Sequence, residues 1–244
     1  MKNCIFTILT NKKLTSNVYK MTLKGDTDGI RCGQFVNIKI DGLYLRRPIS
    51  VCDCHEDTLT LIYKVVGRGT EIMGDKKAGD TLDLLTGLGN GYDLSLSGEA
   101  PLLIGGGVGV PPMYMLCRQL IEAGKSVKVI LGFNTESEVF YKDEFEALGA
   151  SVTVTTVDGS VGTRGFVTDA MKDMDYSYFY TCGPEPMLKA IYSASLTGGQ
   201  FSFEERMGCG FGACMGCSCK TITGYKRICK EGPVLTKEDI IWEN

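Results

Sequence analysis

Along the first hundred residues, apolar positions recur in short runs of β-branched and aromatic side chains, at 18–23, 35–40 and 59–66, broken by turns bearing Gly and Asp. Runs of this kind predict an antiparallel β-barrel. From about residue 100 the period changes. Leu102-Leu103-Ile104 reads as a buried strand, Gly105 to Gly109 as a turn, and Pro111 to Ala123 as a helix with Met113, Leu116, Leu120 and Ile121 at helical spacing, ended by Gly124. Strands at 127–131, 152–156 and 178–181 alternate with helical segments around 142–148, 166–171 and 187–195, so repeated βα units predict a parallel sheet. After residue 195 the pattern stops. The reading is an α/β plus β chain in three parts: a β-barrel over 1–98, a parallel-sheet α/β unit over 99–197, and a segment over 198–244 that a ligated metal organises.

That last segment holds the strongest chemical signal. Of 11 cysteines, five crowd into 21 residues, and Cys209, Cys214 and Cys217 are spaced C-x4-C-x2-C with Cys229 further on. This is the spacing of a plant-type [2Fe–2S] loop. The loop must wrap closely enough for backbone N–H groups to face the sulfurs, and Gly210, Gly212, Ala213 and Gly216 supply residues with little or no side chain. A structural Cys4 zinc site usually pairs two C-x2-C knuckles instead. Cys219 competes as fourth ligand, but it lies only two residues past Cys217. Cys229 returns across a hairpin at 221–226 with Gly224 at its turn, and is the choice.

Two phosphate-type turns precede the cluster. Gly67-Arg68-Gly69-Thr70 follows a strand and opens a short helical stretch, which suits a pyrophosphate. Gly105-Gly106-Gly107-Val108-Gly109-Val110-Pro111 follows a buried strand and opens a helix, as a dinucleotide turn does, with Pro111 where the third Gly is usual. Thr181-Cys182-Gly183-Pro184 places Cys182 at the carboxyl edge of the sheet, where ligands bind. In the loop at 132–138, Glu136 and Glu138 stand where a 2′-phosphate would need Arg or Lys, which favours NAD over NADP.

Composition narrows the class. The 244 residues carry a formal net charge of −3, too little positive charge for a nucleic-acid surface. No apolar run reaches 18 residues and the 1–7 stretch has no apolar core, so no membrane span is expected and a cytoplasmic location with reduced thiols is. His55, the lone histidine, reads as solvated.

Together, Arg47-Pro48-Ile49-Ser50, Gly69-Thr70, the glycine–proline turn, Cys182-Gly183-Pro184 and Met187 resemble the ferredoxin–NADP reductase superfamily across nearly the whole chain. The cysteine run followed by Lys230-Glu231-Gly232-Pro233-Val234 most resembles the electron-transfer subunits of dihydroorotate dehydrogenase B. The resemblance implies FAD held by Arg47, Pro48, Ile49 and Ser50, with Arg47 on the phosphates and Ser50 at the isoalloxazine edge. It further implies Ile62, Tyr63 and Lys64 on the ribityl and adenine side, and Gly69 and Thr70 on the pyrophosphate. Gly105, Gly107 and Gly109 would receive NAD(H), with Cys182, the catalytic candidate, and Gly183 bordering the nicotinamide. The implied partner is an FMN-containing dihydroorotate dehydrogenase catalytic subunit in a heterotetramer, in pyrimidine biosynthesis. The alternative is the small subunit of an NADH-dependent ferredoxin–NADP oxidoreductase or a sulfide dehydrogenase. What covers the flavin is open, because the chain continues past the point where superfamily members end in an aromatic residue.

Overall fold

The computed structural model describes residues 1–242, so the last two residues of the expected 198–244 segment lie outside the described residues. Strands β1 (Lys2–Lys13), β2 (Val18–Lys24), β3 (Phe35–Ile38), β4 (Arg47–His55), β5 (Thr58–Lys64) and β6 (Thr81–Leu88) close a barrel in the order β1-β2-β5-β4-β3-β6. Their alternation fits a sheet with one face inside: on β6, Leu82, Leu84, Thr86 and Leu88 are buried and the residues between them are not. Helix α1 (Arg68–Asp75) follows β5. Asn11 of β1 holds its end, Nδ2 donating to the carbonyls of Met73 at 2.8 Å and Lys76 at 3.0 Å. His55 ends β4 exposed.

The second unit alternates strand and helix through β7 (Leu102–Gly106), α2 (Pro112–Glu122), β8 (Lys128–Phe133), α3 (Lys142–Ala147), β9 (Ser151–Thr156), β10 (Thr163–Arg164), α4 (Val167–Met171), β11 (Phe179–Cys182) and α5 (Glu185–Ala194). Its sheet continues with β12 (Gly199–Ser202), while β13 (Ser218–Thr221) and β14 (Gly224–Arg227) form a separate hairpin and β15 (Val234–Thr236) returns to the sheet edge. The order is β10-β9-β8-β7-β11-β12-β15, parallel except that β15 runs antiparallel to β12.

The sheet runs on past residue 197. β12 is a fully buried strand of the parallel sheet, with Phe179 opposite Gly199 and Cys182 opposite Ser202. Four residues with one large apolar side chain carry no readable period, and β12 forms because β11 and β15 flank it. The segment assigned to the metal thus gives two strands to the sheet. Asn90 clamps the returning chain as a backbone would: Nδ2 donates to Val234 O at 2.7 Å, and Oδ1 accepts from Val234 N at 3.1 Å. Trp242 packs against the rings of Tyr192, Phe201 and Phe203. Barrel and sheet are joined on β4 and α2, where Arg118 Nη2 donates to Asp53 Oδ1 at 2.8 Å and Cys54 O at 3.0 Å. Among the described residues no helix is long and apolar enough to cross a membrane.

Candidate functional site

A cleft of about 430 Å³ opens where β4, β5 and the start of α1 meet the residues after β12, and it brings together Arg47, Pro48, Ile49, Ser50, Ile62, Tyr63, Lys64, Gly69 and Thr70. The local chemistry explains the sequence. A Cβ on Gly69 would lie 2.1 Å from Arg47 Nε, so the bare backbone lets the guanidinium rest on the first turn of α1. A cation beside unpaired N-terminal amides is an anion cradle, which fits a dinucleotide's pyrophosphate. The Thr70 hydroxyl is occupied in building that turn, accepting from Val66 N at 2.9 Å and donating to Gly67 O at 2.9 Å. Tyr63 is also refined: its Oη is taken by Asn11 Oδ1 at 3.0 Å, its ring stacks on Tyr19, and burial pushes its phenol up to about 12.

A second cleft, of about 650 Å³, lies over the carboxyl ends of β7, β8 and β11. Gly107 and Gly109 line it, Gly107 with φ +53° and open space on its Cβ side. A Cβ on Gly109 would fall 2.2 Å from Cys182 O, so that glycine seats the turn against the end of β11. Gly183 lines the cleft, and Glu138 faces it from the loop after β8 with Asn134 Nδ2 donating to Oε2 at 2.8 Å. Glu136 lies outside it.

Two expected residues do not reach this space. Gly105 is buried under the turn, where a Cβ would meet Val110 Cα at 2.7 Å, so its missing side chain serves packing. The Cys182 side chain is 1% exposed and joins the hydrophobic core. Burial pushes its thiol well above the ordinary range. Its backbone, not its sulfur, supports the nucleotide turn.

The two clefts share Lys64, Val108 and Glu204. Glu204 also lines a third cavity of about 300 Å³ beside β13, and among the described residues it alone borders all three. Glu204 is exposed to solvent at this junction, and the protein crowded around its carboxyl raises it above the ordinary value. In the sequence Glu204 is one of three consecutive charged residues, Glu204-Glu205-Arg206, with nothing local to single it out. The missed signal was its place directly after β12, a strand the pattern did not show. Phe203, Met207 and Pro233, from the residues after β12, also wall the flavin-type cleft.

The cysteine loop separates into two pairs. Cys209 Sγ accepts from Ala213 N at 3.2 Å and Cys214 N at 3.4 Å, and Cys214 Sγ from Cys209 N at 3.5 Å. Cys217 Sγ accepts from Cys229 N at 3.4 Å. Cys217 and Cys229 are buried, whereas Cys214 is exposed. Burial works against the Cys209 thiolate, yet the amides of Phe211, Cys214 and Ala213 prevail and bring the thiol to about 6. Among the described residues no three His, Cys, Asp or Glu converge as a single metal ion requires. The C-x4-C-x2-C spacing with a distant fourth Cys suits a [2Fe–2S] cluster better than a structural zinc site. Cys219 pairs with Lys226 in the β13–β14 hairpin and lines the third cavity.

Comparison with known proteins agrees with this geometry. Residues 204–241 match the iron–sulfur cluster binding domain of dihydroorotate dehydrogenase B, and residues 103–193 match the oxidoreductase NAD-binding domain. The chain is 42% identical over 255 positions to the dihydroorotate dehydrogenase B (NAD(+)) electron transfer subunit of Bacillus pumilus, covering 98% of each. The protein of the same name from Fusobacterium nucleatum is 45% identical over 251 positions, covering 96% of each. A chain of an NADH-dependent reduced ferredoxin–NADP oxidoreductase, described for flavin-based electron bifurcation, superimposes with a TM-score of 0.87 at 29% identity, over 97% of this chain and 90% of that one. A ferredoxin NADP+ reductase from Neisseria gonorrhoeae with bound FAD and NADP, at 19% identity and a TM-score of 0.68 over 80% of this chain and 90% of that one, shares the fold. With near-full-length identity above 40% and the cysteine loop in the same segment, this chain belongs to the family of electron transfer subunits of NAD(+)-dependent dihydroorotate dehydrogenase B.

Proposed function

We propose that this chain takes electrons from a dihydroorotate-oxidising catalytic subunit at its cysteine loop and passes them to NAD+ across the two joined clefts. The observation that carries the reading is adjacency within one chain. The flavin-type cleft meets the nucleotide cleft at Lys64, Val108 and Glu204, and meets the cysteine segment at Met207 and Pro233. Bound FAD exchanges electrons both singly and in pairs, which lets a one-electron [2Fe–2S] cluster and a two-electron nicotinamide be linked.

The residues take these roles. Arg47 and the first-turn amides of α1 hold the pyrophosphate, with Gly69 and Thr70 shaping the turn. Pro48, Ile49 and Ser50 run along the isoalloxazine, and Ile62, Tyr63 and Lys64 back the ribityl and adenine side. Gly107, Gly109 and Gly183 seat the dinucleotide, and Glu204 borders the point where hydride passes. Cys209, Cys214, Cys217 and Cys229 hold the cluster. The exposed Phe211 and Met215 of the same loop form part of the contact with the catalytic subunit, which carries FMN and completes a heterotetramer. The divisions are 1–98 for flavin, 99–197 for nucleotide and 198–244 for the cluster, with β12 and β15 completing the nucleotide sheet. A cytoplasmic setting accords with 11 free thiols.

The isolated chain should reduce artificial dyes with NADH and leave dihydroorotate untouched. Adding the FMN subunit should give a complex on size exclusion and dihydroorotate-dependent NAD+ reduction. Absence of that complex, with tight binding to a ferredoxin-linked large subunit, would move the assignment to the small subunit of an NADH-dependent ferredoxin–NADP oxidoreductase. Four cysteine ligands, with no Asp among them, favour the first reading.

A further inference from the structure

The loop that carries Cys209 and Cys214 turns its carbonyls outward onto donors. Gly212 O accepts from Arg227 Nη1 at 2.6 Å, Met215 O from Ser218 Oγ at 2.8 Å, and Cys209 O from Asn37 Nδ2 at 3.2 Å. In a trans peptide the C=O and N–H point opposite ways, so each carbonyl held outward turns the next amide inward. The Arg227 case displays both halves. Gly212 O goes out to the guanidinium, and the amide of the same peptide, Ala213 N–H, donates to Cys209 Sγ at 3.2 Å.

Asn37 stands in the same relation to the peptide joining Cys209 and Gly210, but it comes from the barrel. It is 1% exposed on β3, and among the described residues its Oδ1 has no hydrogen-bond partner. A buried amide left half satisfied is destabilising, and an apolar side chain would fill that space without an orphan acceptor. Gly210 is shaped to receive it: φ is +77°, and a Cβ there would lie 2.3 Å from Asn37 Nδ2. Asn37 is itself fixed, since Arg46 Nη1 donates to its main-chain carbonyl at 3.2 Å and to Asp83 Oδ1 at 2.9 Å. In the β3–β4 register it sits opposite Pro48, which lines the flavin-type cleft.

We propose that Asn37 is a positioning residue for the cluster, holding the Cys209 carbonyl on the barrel side so that the Gly210 amide faces the ligand loop. This rests on Cys209 being a ligand. Amide dipoles directed at ligand thiolates favour the more negative, reduced cluster, so losing the Asn37 donor lowers the reduction potential. Through the shared strand pair, the flavin motif and the first cluster ligand are set by one residue.

Anaerobic redox titration of the full chain, followed by electron paramagnetic resonance, tests this on Asn37→Asp, Asn37→Ser and Arg227→Gln, with FAD content and melting recorded in parallel. Asn37→Asp and Asn37→Ser should keep FAD while the equilibrium for cluster reduction falls about tenfold, ~59 mV for one electron, and the g values move. Arg227→Gln should shift in the same direction. Loss of the cluster from both Asn37 variants with FAD and melting retained also supports the role. Unchanged potential and g values overturn it, as does loss of FAD and stability with an unaltered potential in the molecules that remain folded. Cys209→Ser separates the two readings: if that variant keeps a parental cluster, the ligand assignment has failed, not the argument about Asn37.

Discussion

Cys219 and Cys229 differ less in sequence than in surroundings. Cys229 donates its amide to Cys217 Sγ, whereas Cys219 lies in the hairpin beside the third cavity. Cys229→Ser should therefore lose iron and sulfide and Cys219→Ser should retain both, as colorimetric iron and sulfide analysis would read directly. Glu204 invites a different measurement. Glu204→Gln removes a raised carboxyl from the junction of the clefts, and stopped-flow reduction of the flavin by NADH should slow by roughly tenfold or more while FAD stays bound. A third residue has a pH signature. The Arg227 guanidinium, which pairs with Glu231, holds that carboxyl down at about 2 from an ordinary 4.5. A depressed carboxyl stabilises the fold above its unfolded value, and that contribution is lost as pH falls from about 4.5 through about 2. Glu231→Gln should lower stability at pH 7 by under about 1 kcal/mol, since the pair is partly solvated, and the gap to the parent should close between pH 4.5 and 2 in denaturant titrations. The cysteine spacing and the Arg47 and Gly69 motifs were legible because each is a local requirement of backbone and donor. Glu204 and Asn37 were not, because their importance comes from partners far away in the chain.

Elements with a strong period were equally legible. The helix expected from Pro111 appears as α2, and the strand at 102–104 as β7. What the pattern missed was β12 and β15, each three or four residues long, whose stability resides in their neighbours. Asn90 makes this testable. It supplies both donor and acceptor to Val234 and donates to Glu231 O at 3.1 Å, so Asn90→Ala should cost about 2 kcal/mol in denaturant titrations and loosen the path from Cys229 to β15. Faster loss of the cluster to a chelator should accompany that change.

At the scale of the molecule, barrel and sheet must keep the two clefts in contact, and Arg118 is one polar tie between them. Arg118→Met leaves Asp53 partly buried without its cation, which should cost about 1–2 kcal/mol and slow flavin reduction by NADH while the cluster spectrum is unchanged. The placement of β15 carries a separate consequence. A parallel sheet that ended at β12 would present a row of unpaired amides and carbonyls beside Phe201, an open template for another chain. The strand that follows the last cysteine occupies that row. The electron wire is thus also an edge guard, and a chain shortened before residue 203 should be lost to self-association as well as colourless at the iron site. Selection against aggregation alone would then preserve the returning strand.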